Sequence, residues 1–270
     1  MGQTARDVPV TTIGGYLGSG KTTLVNAVLS GAHGRRIGVL VNDFGAVSID
    51  EKLIVARDGD MATLANGCAC CAVAGDLGAA LDRLASVIQP DHILIEASGV
   101  AKPAVIAALA KSPGLTPRPP IVLADADSIV KRANDKFVGR LVRRQLAEAG
   151  LVVLTKTDIV DAERQAGAHT LVRREAPAAP IVEAVNGDID IALLLDRSAA
   201  LESSGFVCDD AEDAADMFES HSWTSRAPLD PARLRAAVAA LPREFHRVKG
   251  VFADANGAPH SIQRAGETLE

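Results

Sequence analysis

The segment Gly15–Thr22 is the feature that most constrains the fold. It reads Gly-Tyr-Leu-Gly-Ser-Gly-Lys-Thr, and it carries Gly, Gly, Lys and Thr at every position that a phosphate-binding loop requires. Glycines let backbone N–H groups turn toward phosphate oxygens. A β-branched run, Val8–Ile13, precedes the segment, and a helical stretch, Lys21–Ser30, follows it. This strand–loop–helix context predicts a nucleotide-binding α/β domain.

Further strands and helices alternate through the first two thirds of the chain. The predicted strands are Val8–Ile13, Arg36–Val41, Ala62–Ala65, His92–Ile95, Ile121–Ala124, Leu151–Leu154 and Pro180–Val185. The predicted helices are Lys21–Ser30, Asp76–Ile88, Pro103–Ala110, Phe137–Ala149 and Ala162–Glu175. Such alternation is typical of a mainly parallel sheet covered by helices on both faces. We therefore predict the α/β phosphate-loop NTPase fold.

The pattern changes near residue 200. We predict a nucleotide-binding domain over 1–200, an acidic linker over 201–219 and a small α+β domain over 220–270. The predicted elements of the small domain are a strand Ser220–Ser225, a helix Asp230–Leu241, a strand Phe245–Ala253, a turn at Asn256-Gly257 and a return strand His260–Arg264. Its polar end leaves open whether this domain is complete.

Composition excludes several classes of protein. The 270 residues carry a net charge of −6, which argues against non-specific nucleic-acid binding because that needs a basic face. No apolar run reaches the ~20 residues that span a bilayer. Three of the four cysteines lie too close together for a disulfide framework. We expect reduced thiols, a cytoplasmic location and no membrane contact.

Cys68, Cys70 and Cys71 form that cluster. Thiolates bind Zn²⁺, Cu(I) and similar ions, and three of them supply three of four tetrahedral ligands. Water, a histidine, a carboxylate or a partner protein would complete the set. The alternative is buried structural cysteine, but three such residues within four positions favour metal or redox chemistry.

The phosphate loop also predicts nucleotide ligands. The candidates are Gly15, Gly18, Ser19, Gly20, Lys21, Thr22 and Thr23. We expect Lys21 to neutralise β- and γ-phosphate charge and Thr22 to offer its hydroxyl to Mg²⁺.

Two other strand ends carry acids. Glu96 closes an apolar strand and is followed by Gly99, so we expect the carboxylate near Mg²⁺ or its waters and the Gly99 N–H near the γ-phosphate. Asp43, in Asn42-Asp43-Phe44-Gly45, is a candidate for the first switch, near Mg²⁺ or at the thiol-bound metal. The alternative for Glu96 is an acid that merely caps a strand.

Thr155-Lys156-Thr157-Asp158 comes at the end of another apolar strand, and we expect Thr155, Lys156 and Asp158 to bind the nucleotide. A carboxylate at Asp158 can accept hydrogen bonds from the ring N–H and the amine of guanine, a pair that adenine does not offer. The stem of Lys156 can lie along the base. A plain surface turn is the alternative.

Together these segments resemble the CobW-like metallochaperone GTPases. The motifs that carry the resemblance are Gly15–Thr22, Asn42–Gly45, Gly67-Cys68-Ala69-Cys70-Cys71, Glu96–Pro103 and Thr155–Asp158. The resemblance implies a slow GTPase in which Lys21, Glu96 and Gly99 are catalytic. It also implies Zn²⁺, Co²⁺ or another divalent metal at the cysteines. The metal would pass to a client metalloprotein or a metal-cofactor biosynthesis enzyme, from a monomer or a nucleotide- or metal-dependent dimer.

The chain departs from the family pattern at several positions. Asp43 and Ala46 replace two usual glutamates, Thr155 replaces an asparagine, and a His-rich loop is missing. Two other functions stay open: a metal-sensing GTP switch that transfers no metal, and an ATP-dependent kinase with structural cysteines. The aspartate at position 158 argues against the kinase.

Overall fold

The computed structural model describes residues 7–31, 33–42, 61–64, 74–196, 223–225, 227–242, 245, 247–265 and 268–269. These residues form a seven-stranded and a three-stranded sheet. Asp43, the three clustered cysteines and the predicted linker 201–219 lie outside them.

The larger sheet is parallel at every strand pair and has the order β3-β2-β4-β1-β5-β6-β7. Its strands are β1 (Val8–Gly14), β2 (Ile37–Asn42), β3 (Met61–Leu64), β4 (His92–Glu96), β5 (Leu115–Asp125), β6 (Leu151–Thr155) and β7 (Ile181–Ala184). The prediction of a mainly parallel α/β sheet is confirmed. The carboxyl ends of β1, β4, β5 and β6 meet at one edge, where open α/β sheets bind ligands.

Helices cover both faces of this sheet. They are α1 (Lys21–Ser30), α2 (Ala74–Ile88), α3 (Pro103–Leu109), α4 (Ile129–Ala133), α5 (Gly139–Ala147), α6 (Ala162–Glu175) and α7 (Ile191–Leu195). Alternate residues of one strand enter different cores: Val152 and Leu154 pack with α5 and α6, whereas Leu151 and Val153 pack with α1. A third core joins β4 to α2 and α3.

Several predicted elements differ in extent from the observed ones, and two of these differences have a visible cause. The strand expected over Ile121–Ala124 begins at Leu115, although prolines precede Ile121. Proline is tolerated there because β6 pairs with β5 only from Ile121 onward. The edge of β5 that faces β6 therefore has no strand partner before Ile121. The helix expected from Phe137 begins at Gly139, because the Asp135 carboxylate accepts the N–H groups of Phe137 and Val138 and holds a turn.

Several short elements have no counterpart in the sequence prediction. These are α4, α7 and a 3₁₀ turn over Thr157–Ile159. None of them is long enough to show a helical period.

The smaller sheet has the order β10-β9-β8 and is antiparallel. Its strands are β8 (Arg247–Ala253), β9 (Pro259–Ala265) and β10 (Thr268–Leu269), and α8 (Pro231–Ala239) precedes them. The Asp230 carboxylate caps α8 by accepting the Arg233 N–H. The hairpin predicted at Asn256-Gly257 is confirmed. The strand predicted over Ser220–Ser225 is wrong for its described part, Trp223–Ser225.

No helix within the described residues is both long and apolar enough to cross a bilayer.

His92, the first residue of β4, is a buried titratable group that the fold must keep neutral. Its side chain is 1% exposed, and its Nε2 lies 2.8 Å from the Thr11 hydroxyl. Burial, with the nearby Arg118 and Arg35 charges, lowers its pKa from 6.5 to about 4.

A pH-dependent loss of stability follows. Below pH 6.5 the unfolded chain takes up a proton at His92, whereas the folded chain does so only near pH 4. This group therefore destabilises the fold as pH falls through that window, by roughly 2 kcal/mol at pH 4.5. Urea unfolding of the wild type and of His92→Gln at pH 7 and 4.5 measures the effect. The variant should lose less stability than the wild type, and equal losses would contradict the account.

Candidate functional site

The phosphate loop lies between β1 and α1, and its glycines have backbone angles that other residues rarely adopt. Gly15 has φ 127° and Gly20 has φ 94°. A Cβ on Gly15 would lie 2.4 Å from the Leu123 carbonyl oxygen, so a side chain would force the loop off β5. Gly20 is the N-cap of α1. The first amides of α1 therefore face the loop, an arrangement that favours a bound anion.

Lys21 lies inside this loop. It is 5% exposed, and its ammonium donates to the carbonyls of Gly15 at 2.8 Å and Tyr16 at 3.2 Å. Neighbouring Ser19 is also buried, and its Oγ has no hydrogen-bond partner among the described residues. Buried polar atoms normally have partners. A buried cation and an unsatisfied hydroxyl in one loop suit an anionic ligand.

Thr22 and Glu96 meet at the sheet edge. The Thr22 hydroxyl donates to Glu96 Oε1 at 2.7 Å, and Glu96, at the end of β4, is 4% exposed. Since the hydroxyl donates its proton to the carboxylate, its lone pairs stay available to a cation. Hydroxyl and carboxylate oxygens are ligands that Mg²⁺ prefers. These two residues, predicted from separate motifs, therefore form a donor set that fits Mg²⁺.

The loop after β6 is tied to the phosphate loop. The Thr155 hydroxyl lies 2.9 Å from the Ser19 carbonyl oxygen and 3.3 Å from that of Ala124, and can donate to either. Lys156 has φ 59°, and Asp158 is exposed. This geometry leaves the Asp158 carboxylate accessible to a ligand, while Thr155 holds the loop at the sheet edge.

Asp125, at the end of β5, is a site residue that sequence reasoning missed. Its carboxylate accepts from the Asp127 N–H, the Ser128 hydroxyl and the Lys156 ammonium, the last at 2.8 Å. The salt bridge fixes the position of Lys156 beside the loop. The signal was available: an acid directly follows an apolar strand that neighbours β6.

Glu183 on β7 forms a second network near the same loop. It accepts from Gln165 and lies 2.7 Å from His169 Nε2. The hydrogen bond with His169 is the main cause that holds the pKa of Glu183 below its usual value, and a hydrogen bond with Thr157 contributes. Glu183 therefore connects α6 to the loop after β6 through Thr157.

Gly99 lies against the phosphate loop. A Cβ on Gly99 would lie 2.5 Å from Leu17 Cδ2 and 2.8 Å from the Leu17 amide nitrogen. Only glycine allows the segment after β4 to approach the phosphate loop so closely.

The remaining predicted ligands lie in the loop, at the start of α1 or outside the described residues. Gly18 has φ 80° and lies in the loop as expected, whereas Thr23 is exposed on α1. Asp43, Cys68, Cys70 and Cys71 lie outside the described residues. Within those that are described, no group of three or more His, Cys, Asp and Glu side chains could hold a metal.

Comparison with known proteins identifies related chains. The model of the nucleotide-binding domain of the CobW/HypB/UreG family matches residues 9–183. The model of the cobalamin synthesis protein CobW C-terminal domain matches residues 218–270.

Two curated relatives cover much of the chain. A zinc chaperone CobW from Sinorhizobium is 31% identical over 97% of this chain and 86% of its own length. The zinc chaperone YjiA of Escherichia coli is 35% identical over 71% of this chain, which spans only 62% of that relative. The crystal structure of the Zn(II)-bound E. coli YjiA GTPase is 22% identical, covers 98% of this chain and 88% of its own, and has a TM-score of 0.48. By the extent of the family match, this chain belongs to the CobW/HypB/UreG family.

Proposed function

We propose that this protein binds and slowly hydrolyses GTP and uses the nucleotide to control a Zn²⁺ ion that it delivers to a client metalloprotein. The contact between Thr22 and Glu96 carries the proposal, because it joins the phosphate loop to the acid of β4 at 2.7 Å. Relatives named zinc chaperone and zinc-regulated GTPase metalloprotein activator support it.

The phosphate loop would hold the nucleotide. Backbone amides of Gly15, Gly18, Gly20, Thr22 and Thr23 would face the phosphates, and Ser19 would supply its unsatisfied hydroxyl. Lys21 would exchange its contacts with the loop carbonyls for phosphate oxygens. Its charge is already inside the loop, so little rearrangement is needed.

Thr22 and Glu96 would hold Mg²⁺ or its waters, and the ion would supply positive charge that neutralises phosphate charge. Lys21, Glu96 and Gly99 are the residues to which we assign catalysis. Their work is positioning and charge neutralisation. Such a site hydrolyses GTP slowly unless a partner adds a further positive group.

Asp158 would select guanine by accepting its ring N–H and amine, with the stem of Lys156 along the base. The Asp125–Lys156 salt bridge and the Thr155 hydroxyl hold this loop next to the phosphate loop. Both contacts act before the nucleotide arrives, so ordering the loop costs little on binding.

Cys68, Cys70 and Cys71 would hold the Zn²⁺ cargo, with Co²⁺ as the other candidate. In the sequence, the cysteine cluster lies between Asn42–Gly45 and Glu96. We propose that Asp43, in the first of these segments, lies near a metal. A metal and a nucleotide that share one conformational element must change each other's affinity. Loss of the γ-phosphate would in this way alter the affinity for the metal.

The client would be a metalloprotein or a metal-cofactor biosynthesis enzyme, and the exchange would take place in the cytoplasm, where thiols stay reduced. The chain would act as a monomer or as a dimer formed with nucleotide or metal. A GTP switch that senses metal without transferring it is the other reading. Metal transfer to a client separates the two.

Replacing Asp158 by Asn should abolish the preference for guanine. The amide nitrogen presents N–H groups to the donors of guanine, so GTP affinity should fall by about a hundredfold. Xanthosine triphosphate offers an acceptor at that position, so the variant should bind it better than the wild type does. Fluorescence titration with labelled nucleotides measures both. Glu163→Gln, an exposed acid on α6, is the matched control. Unchanged GTP affinity in Asp158→Asn would contradict the assignment.

Replacing Thr22 by Val keeps the shape of the side chain and removes the hydroxyl. We expect GTP affinity in the presence of Mg²⁺ to fall about tenfold or more, and affinity in EDTA to stay nearly unchanged. Calorimetric titration in the two buffers tests this, with Thr170→Val on α6, whose hydroxyl bonds to its own helix, as the control. An equal loss in both buffers would show that Thr22 acts on the fold instead of the ion.

A further inference from the structure

Gln145 is a buried amide in a position that packing alone would give to an apolar side chain. It is 2% exposed on α5, on the same helix face as Leu141, Val142 and Leu146, which enter the core. A buried amide costs free energy unless its hydrogen bonds are made. The side chain must therefore have a polar partner on this face.

That partner is the segment after β4. Gln145 Nε2 donates to the Gly99 carbonyl at 3.2 Å and to the Ala101 carbonyl at 2.7 Å. A side-chain amide has two N–H donors, so one group bridges two carbonyls of the same turn. The turn is closed by the Ala101 N–H, which donates to the Ser98 carbonyl.

The phosphate loop lies on the other side of this turn. Gly99 is packed so closely on Leu17 that a Cβ would lie 2.8 Å from the Leu17 amide nitrogen. Leu17 in turn packs on the core that contains Leu141 and Leu146 of α5. Gly99 is thus confined between the phosphate loop and the amide of Gln145.

A second side chain, that of the residue at the C-cap of α5, holds the far end of the same segment. Glu148 Oε2 accepts the Ala104 N–H at the start of α3, and Glu148 Oε1 pairs with Arg144 at 3.1 Å. One face of α5 therefore fixes the backbone from Gly99 to Ala104. Of these contacts, the 3.2 Å hydrogen bond from Gln145 is the one made to Gly99 itself.

We propose that Gln145 is a positioning residue for the γ-phosphate pocket. By holding the carbonyls of Gly99 and Ala101, it keeps the Gly99 N–H where a γ-phosphate, and not the α- or β-phosphate, would meet it. The proposal rests on the proposed GTPase function. If the proposal is correct, Gln145 changes the affinity for GTP more than the affinity for GDP. A residue that only stabilises the fold would change both affinities alike.

The test compares full-length wild type with Gln145→Met, which keeps length and volume but removes both donors. Affinities for GDP and for a non-hydrolysable GTP analogue are measured by calorimetry with Mg²⁺, and kcat and KM by phosphate release. We expect affinity for the analogue and kcat to fall about tenfold, the scale of one or two hydrogen bonds, and GDP affinity to change less than twofold. Gln263→Met on β9 is the matched control, and should change neither.

Gln145→Glu keeps the shape but places an acceptor against two carbonyls, and should give a larger loss of the same kind. Equal weakening of GDP and analogue, or no change in either, would overturn the proposal. Failure of both variants to fold would also overturn it, since the role would then be stability. If the wild type binds neither nucleotide, the proposed function itself fails, and the wild-type titration alone shows this.

Discussion

The hydrogen bond between Thr22 and Glu96 is the contact on which the account of this molecule depends. It exists because β1 and β4 are parallel neighbours, with Ile13 in register with Glu96. The phosphate loop therefore begins beside the end of β4, where Glu96 carries its carboxylate. The Ala97 N–H donates to the Ile13 carbonyl at 2.9 Å, which extends the pairing past the end of β4. The sheet thus brings together a hydroxyl and a carboxylate, far apart in sequence, that suit a hard cation.

At this edge, each of three loops is held in place by a side chain that hydrogen-bonds to backbone. Thr155 ties the loop after β6 to Ser19, Gln145 ties the segment after β4 to α5, and Lys21 spans the phosphate loop. A ligand that moves the phosphate loop therefore acts on the loop after β6 through Thr155, and on the segment after β4 through the close packing of Gly99 on Leu17. This is the physical basis on which nucleotide state could control a metal held elsewhere in the chain.

The residues that sequence analysis located belong to short motifs with fixed spacing. Lys21 and Thr22 follow from a contiguous pattern, Glu96 from an apolar strand that ends in an acid, and Asp158 from a short motif that follows another apolar strand. Thr155 follows from the same short motif as a candidate nucleotide ligand, but its bond to Ser19 spans 136 positions, which local patterns do not encode. Gln145 carried a signal, an amide on an apolar helix face, but its partner is a turn 46 positions away. The proline-rich start of β5 was missed because its tolerance depends on which strand lies beside it.

The central claim is that nucleotide and metal influence each other's binding. Titration of Zn²⁺ into the reduced protein with a non-hydrolysable GTP analogue, with GDP and without nucleotide tests it most directly, against a Cys68→Ser, Cys70→Ser, Cys71→Ser variant. The account predicts tight binding that requires the cysteines and changes at least fivefold with the nucleotide, the lower end of typical coupling between sites. Binding that is weak, survives the substitutions or ignores the nucleotide would contradict it.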